Sequence, residues 1–139
     1  MILLTDKPIE PLRPELLESV RCPGAGAVVT FEGIVRRESR GRPVTHLVYE
    51  AFPEMAVPEM QKIADDARKR WPQIEAVSIV HRTGLLNVGE TSVLIAVASA
   101  HRAEAFEACR FIIDSLKATV PIWKREHYAD GASWIEGHA

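Results

Sequence analysis

The 139-residue chain is the size of one ordinary domain, long enough to bury roughly two-thirds of the surface its unfolded form exposes. With 47% apolar and 26% charged residues it has the balance of a soluble globular protein, which excludes a disordered chain; no apolar run approaches bilayer-spanning length, so a cytoplasmic protein is expected. A net charge of -2 argues against a nucleic-acid-binding domain, which usually carries a basic excess.

A short strand is predicted at Ile2 to Leu4, followed by a helix that Pro14 opens from its first turn, with Leu16, Leu17 and Val20 as its apolar side. Gly24 and Gly26 mark a turn. Ala27 to Val35 is β-branched enough to be a strand, and its alternation places Thr30, Glu32, Ile34 and Arg36 on one face. Glu38 to Pro43 is expected to be a polar loop, and Val44 to Phe52 a second strand pairing with the first. After Pro53, a helix follows in which Ala56, Met60, Ile63, Ala64, Ala67 and Trp71 recur at helical spacing, a stripe that belongs to the core.

Ala76 to Val80 reads as a strand, Gly84 to Gly89 as a turn, and Ser92 to Ala98 as a central strand buried on both faces, because nearly every position is apolar. Ala103 to Val120 is predicted to form a second long helix with Phe106, Cys109, Ile113 and Leu116 inward, ended by Pro121. The tail, Ile122 to Tyr128 and Ser133 to Glu136 around Asp130-Gly131, has the signals of a hairpin with a type I′ turn. No repeat or linker divides the chain, so residues 1–139 are read as a single domain. The expected class is α+β, a two-layer fold with a mixed, largely antiparallel sheet, two long helices and a C-terminal β-hairpin.

Acids gather between Glu54 and Asp66, whereas Arg36, Arg37, Arg40 and Arg42 form one basic stretch and His101, Arg102, Lys117, Lys124 and Arg125 supply others. Brought together by the fold, these would make a locally positive pocket for a small anion in a near-neutral protein. His101-Arg102 opens the long helix, where cations are mildly unfavourable to the dipole but an anion would gain from free amides and both side chains; the alternative is that Glu104 compensates the charge and His101 caps. Lys117 suits the helix C-terminus and Lys124 suits an edge strand, so each has an ordinary structural explanation. Two amines flanking one turn beside Trp123 also have a chemical one, since partial burial lowers a lysine's pKa and fits it to proton transfer. Arg36 and Arg37 follow a strand, where a guanidinium can grip phosphate with two bonds; a solvated loop is the alternative.

His81-Arg82 ends another strand, but no Ser or Cys nucleophile accompanies it in a recognisable elbow, so no triad is read. Phosphate-cradling motifs of the P-loop or GxGxxG type are absent. Cys22 and Cys109 lie far apart with no CxxC and no nearby His pair, so no metal is expected; they are read as one loop thiol and one core thiol.

Taken together, GAVVTFEGIVR (Gly26 to Arg36), YEAFPEMA (Tyr49 to Ala56), HRTGLLNVGE (His81 to Glu90), SAHRAEAFEACRFIIDSLK (Ser99 to Lys117) and PIWKRE (Pro121 to Glu126) closely resemble the large, catalytic subunit of the molybdopterin synthase family. The match runs in order from about Gly24 to Trp134, and its specificity lies in the combination of AHRAEAFEA, the following lysine and PIWKRE. The resemblance implies an α/β hammerhead-type fold and a homodimer within a heterotetramer. Each end of that dimer would carry a small ubiquitin-like sulfur-carrier subunit whose C-terminal Gly-Gly thiocarboxylate enters the active site. It implies a sulfurtransferase that converts cyclic pyranopterin monophosphate to molybdopterin by two sulfur transfers, in molybdenum cofactor biosynthesis, with no cofactor of its own.

By the same resemblance Lys117 and Lys124 look like the catalytic lysines. Ile34, Val35 and Arg36, His101 and Arg102, and Lys117 with Lys124, Arg125 and Glu126 look like the substrate-binding positions. In similar proteins an arginine that reaches toward the neighbouring subunit's site often follows the W-I-E segment; here Gly137-His138 follow Glu136. The competing readings are a non-catalytic adaptor that binds a ubiquitin-like tail and a small hydrolase using His81 or His101; the hydrolase lacks an identifiable nucleophile.

Overall fold

The computed structural model of the chain describes residues 1–137. Strand β1 (Ile2–Thr5) leads through a 3-10 turn (Glu10–Leu12) to helix α1 (Arg13–Val20), whose second residue, Pro14, gives up no intrahelical hydrogen bond. Then come β2 (Ala27–Ile34), β3 (Glu38–Ser39), β4 (Arg42–Ala51), α2 (Pro53–Arg70), β5 (Ile74–Arg82), β6 (Gly84–Asn87) and β7 (Thr91–Ser99). Helix α3 (Arg102–Thr119) and the pair β8 (Ile122–Tyr128) and β9 (Ser133–Glu136) follow as the last elements among the described residues.

The strands form two sheets. One has the order β1-β5-β7-β2, with β1 parallel to β5 and the other pairs antiparallel. The other runs β3-β4-β8-β9, with β6 also on β4, and is antiparallel throughout. Helices α2 and α3 pack on one face of the first sheet and α1 on the opposite face. Every residue of β7 is buried, as its apolar run predicts: Val93, Ile95 and Val97 join the core under α2 and α3, while Leu94, Ala96 and Ala98 join the one under α1.

Helix α3 is held by Ala105, Ala108, Cys109, Ile112, Ile113 and Leu116, and each fully buried Leu or Ile contributes roughly 1.5–3 kcal/mol relative to exposure. Phe106, expected inward, is 61% exposed. The buried stripe is centred on the small Ala105 and Ala108, which let the helix approach the sheet closely, and this centring turns Phe106 outward.

Other expectations are also corrected. β4 does not pair with β2: Arg40 and Gly41 both have positive φ (55° and 72°) and form a two-residue turn of type I′ geometry that folds β4 back on β3. The expected polar loop is therefore a small hairpin, and β2 and β4 end up in different sheets. The expected turn between Gly84 and Gly89 contains β6, which alternates a buried Leu86 with an exposed Leu85 against β4. At the C-terminal hairpin only Gly131 has positive φ (87°), and Tyr128 N–H donates to the Ala132 carbonyl, so the turn has three residues and is not type I′.

Candidate active site

Where the two sheets meet the C-terminal end of α3, the chain encloses a cleft of about 370 Å³. Lys117 lies in the last turn of α3, where its charge favours the helix dipole. Pro121 stops the helix and fully buried Ile122 anchors β8, so strand alternation carries Lys124 and Glu126 to the same side as Ile122 and into the cleft. The opposite wall is the end of β2 with Val35 and Arg36, and the floor includes Tyr49 of β4 and Ser92 of β7.

Lys117 is exposed as a whole residue but stands in a concave wall where protein replaces part of its hydration. This desolvation is the larger cause of its lowered pKa; the charges of Lys124 and Arg36 lower it further, and Glu136 opposes them. Lys124 Nζ is 3.4 Å from Oε2 of Glu136, and Arg40 pairs with the same carboxylate while its Nε lies 3.9 Å from Glu126. Arg40 also lies over the Trp134 ring at 4.2 Å. Glu32 accepts bonds from Thr91 and Arg13, which hold its pKa below the usual carboxylate range against the effect of burial; its charge is matched by Arg13.

Beneath the cleft His81 is fully buried, and burial pushes its pKa down to about 4, so the ring is neutral. Its ring meets that of Tyr49 edge to face at 5.1 Å, and burial pushes the Tyr49 phenol up to about 12.

The structure brings together Ile34, Val35, Arg36, Lys117, Lys124 and Glu126. Arg125 projects from the other side of β8 and lines a neighbouring cleft of about 320 Å³ with Phe52, Trp123 and Ile135, to which Lys124 also contributes. His101 and Arg102 are exposed at the start of α3, with His101 Nδ1 2.7 Å from Gln73 Oε1. At a helical rise of 1.5 Å per residue Arg102 is roughly 22 Å from Lys117 along α3, so within one chain the His-Arg pair stands apart from the lysines. His138 lies outside the described residues.

Sequence reasoning missed Tyr49, Ser92 and Glu136, and it placed Arg40 in a basic stretch without its carboxylate partners. Tyr49 was the one with a local signal: it shares the inward face of β4 with Leu47 and is the polar-tipped residue on that face. The others depend on pairings between distant strands.

Two lysines and an arginine lining one cleft give the chain a concentrated positive site of a kind that suits small anions. The family described as MoaE protein matches residues 4–119. The molybdopterin synthase catalytic subunit of Thermoplasma volcanium is 50% identical over 132 residues, spanning 94% of this chain and 94% of that protein. The X-ray structure of molybdopterin synthase from Staphylococcus aureus matches with a TM-score of 0.89 at 38% identity, covering 97% of this chain and 96% of that one. A complex of subunits 1 and 2 of molybdopterin-converting factor from Helicobacter pylori shares the fold, with a TM-score of 0.76 at 21% identity over 94% of this chain and 87% of that one. The chain belongs to the MoaE family. Among the described residues, no helix is long and apolar enough to cross a membrane.

Proposed function

We propose that this chain is the catalytic subunit of a molybdopterin synthase, a sulfurtransferase that converts cyclic pyranopterin monophosphate to molybdopterin with sulfur from the C-terminal thiocarboxylate of a small ubiquitin-like subunit. The observation that carries this is the convergence of Lys117, Lys124 and Arg36 on one cleft within a chain of this family. A cyclic phosphate and a thiocarboxylate are both anions and repel, so bringing them to reacting distance requires fixed cations in a site of reduced dielectric. Arg36 suits two-pronged phosphate binding. Lys117 and Lys124 suit stabilisation of the charge that shifts as sulfur passes to the pterin side chain, and the lowered pKa of Lys117 fits it to proton transfer.

Ile34, Val35 and Glu126 shape the pocket, and Arg125 completes the substrate-binding set from the neighbouring cleft. His101 and Arg102 reach a pterin site from a second copy of the chain, a reading supported by their separation from Lys117 along α3 and by the homodimer implied by the family resemblance. In this proposal residues 1–139 act as one domain in the cytoplasm within a heterotetramer. Incubating the chain with thiocarboxylated small subunit and cyclic pyranopterin monophosphate tests it: dithiolene product supports an enzyme, whereas partner binding without product supports the adaptor reading.

A further inference from the structure

We propose that Ser92 is a positioning residue for the stretch Ile34–Arg36, a latch whose hydroxyl fills the irregularity between β7 and β2 and holds the carbonyl of Gly33. The inference rests on the reading of that stretch as substrate-binding. In the β2–β7 ladder Gly33 pairs with Val93 and Ile34 with Thr91, so Ser92 has no residue opposite it. Such a bulge frees one residue of β7 from the ladder and bends that strand, here opposite the point where β2 leaves the sheet to line the cleft. The Ser92 hydroxyl occupies the irregularity by donating to the Gly33 carbonyl at 3.2 Å. A Cβ on Gly33 would lie 2.7 Å from Val93 Cγ1 and 3.2 Å from Ser92 Oγ, so this approach requires glycine.

Tyr49 lines the cleft floor together with Ser92, and both residues are buried. The Tyr49 ring is braced by His81, whose Nδ1 lies 2.8 Å from the Arg82 carbonyl. Beyond the bulge Val35 N–H donates to the Glu90 carbonyl at 3.0 Å and the Val35 carbonyl accepts from Gly89 N–H at 2.9 Å. With the stretch fixed on both sides, Arg36 is aimed into the cleft; a one-residue slip would turn it to the other face.

Steady-state kinetics of the full chain with thiocarboxylated small subunit and varied cyclic pyranopterin monophosphate test the latch. Ser92→Ala is expected to raise KM for the pterin roughly three- to tenfold, with kcat changed by less than about twofold. Ser92→Cys, which keeps a side chain of similar size but a weaker donor, should shift KM in the same direction by less. If Ser92→Ala proves too unstable to assay, Ser92→Cys decides by the same KM criterion. A loss of kcat in step with a lower melting temperature, at unchanged KM, would overturn the latch and leave Ser92 a buried hydroxyl with a structural role. Arg36→Ala in the same assay separates the two readings: a raised KM there but not in Ser92→Ala removes the latch alone. If neither variant moves KM, the assignment of Ile34–Arg36 to substrate falls and the latch falls with it.

Discussion

Lys124 and Glu136 face each other across the β8–β9 pair, their charged groups 3.4 Å apart, and Arg40 grips the same carboxylate from the β3–β4 turn. This places one anion among the cations of the cleft, where it supports the protonated form of Lys117 against desolvation and against Lys124 and Arg36. Glu136→Gln removes that support, so the pKa of Lys117 falls further. The step in the pH profile of kcat/KM that belongs to Lys117 is expected to move to lower pH, whether the amine acts as acid or base. A profile that stays in place, or moves up, contradicts this role for Glu136.

The same pair shows what was legible in the sequence and what was not. Helices α2 and α3, the doubly buried β7 and the C-terminal hairpin were legible, because apolar spacing and Pro121 act locally. Tertiary register was not. A two-residue turn at Asp130-Gly131 would set Lys124 opposite Gly137; the three-residue turn shifts the pairing by one and sets it opposite Glu136. Likewise, the type I′ turn that separates β2 from β4 sits at Arg40-Gly41, and arginine is a residue that rarely takes positive φ. Lys117, Lys124 and Arg36 were legible as cations at the ends of elements and took their roles from the family resemblance, whereas Ser92 depends on a bulge that no local pattern announces.

His101 and Arg102 lie at the far end of α3 from Lys117, which makes their proposed contribution testable by complementation. Lys117→Ala and Arg102→Ala chains, each impaired alone, are expected to regain activity when co-assembled, because one of the two sites in a mixed dimer then has both residues intact. If Arg102 serves the site of its own chain, every mixed site lacks one residue and mixing restores nothing.

His81 makes stability depend on pH with a definite sign. Its pKa is about 4 in the fold against an ordinary value of 6.5, so the unfolded chain binds the proton more readily in that interval. The stabilisation is complete above pH 6.5 and is lost as pH falls toward 4, by up to on the order of 3 kcal/mol. His81→Leu is expected to melt lower at neutral pH, having lost the bond to the Arg82 carbonyl, but to show a flatter decline between pH 6.5 and 4. An equally steep decline in both proteins would assign that acid sensitivity to other groups.

Neither cysteine is expected to carry the transferred sulfur. Cys109 is buried in α3 and burial pushes its thiol up to about 11, which disfavours the thiolate needed for attack. Cys22 lies in the turn after α1, away from the cation cleft. The Cys22→Ser, Cys109→Ala double variant should form dithiolene at close to the parent rate. A folded double variant that makes none would mean sulfur travels through this chain.

The most direct test of the account is a side-by-side reconstitution of the parent chain and Lys117→Ala with thiocarboxylated small subunit and cyclic pyranopterin monophosphate. Dithiolene product is quantified, and mass spectrometry follows the small subunit's return to a carboxylate. The account predicts product from the parent with two thiocarboxylates consumed for each dithiolene. Lys117→Ala should turn over roughly 10²–10⁴-fold more slowly, with partner binding retained and the melting temperature little changed, because an exposed lysine leaves no cavity in the core. A parent chain that binds the small subunit but makes no dithiolene, or a Lys117→Ala chain that makes it at the parent rate, would contradict it.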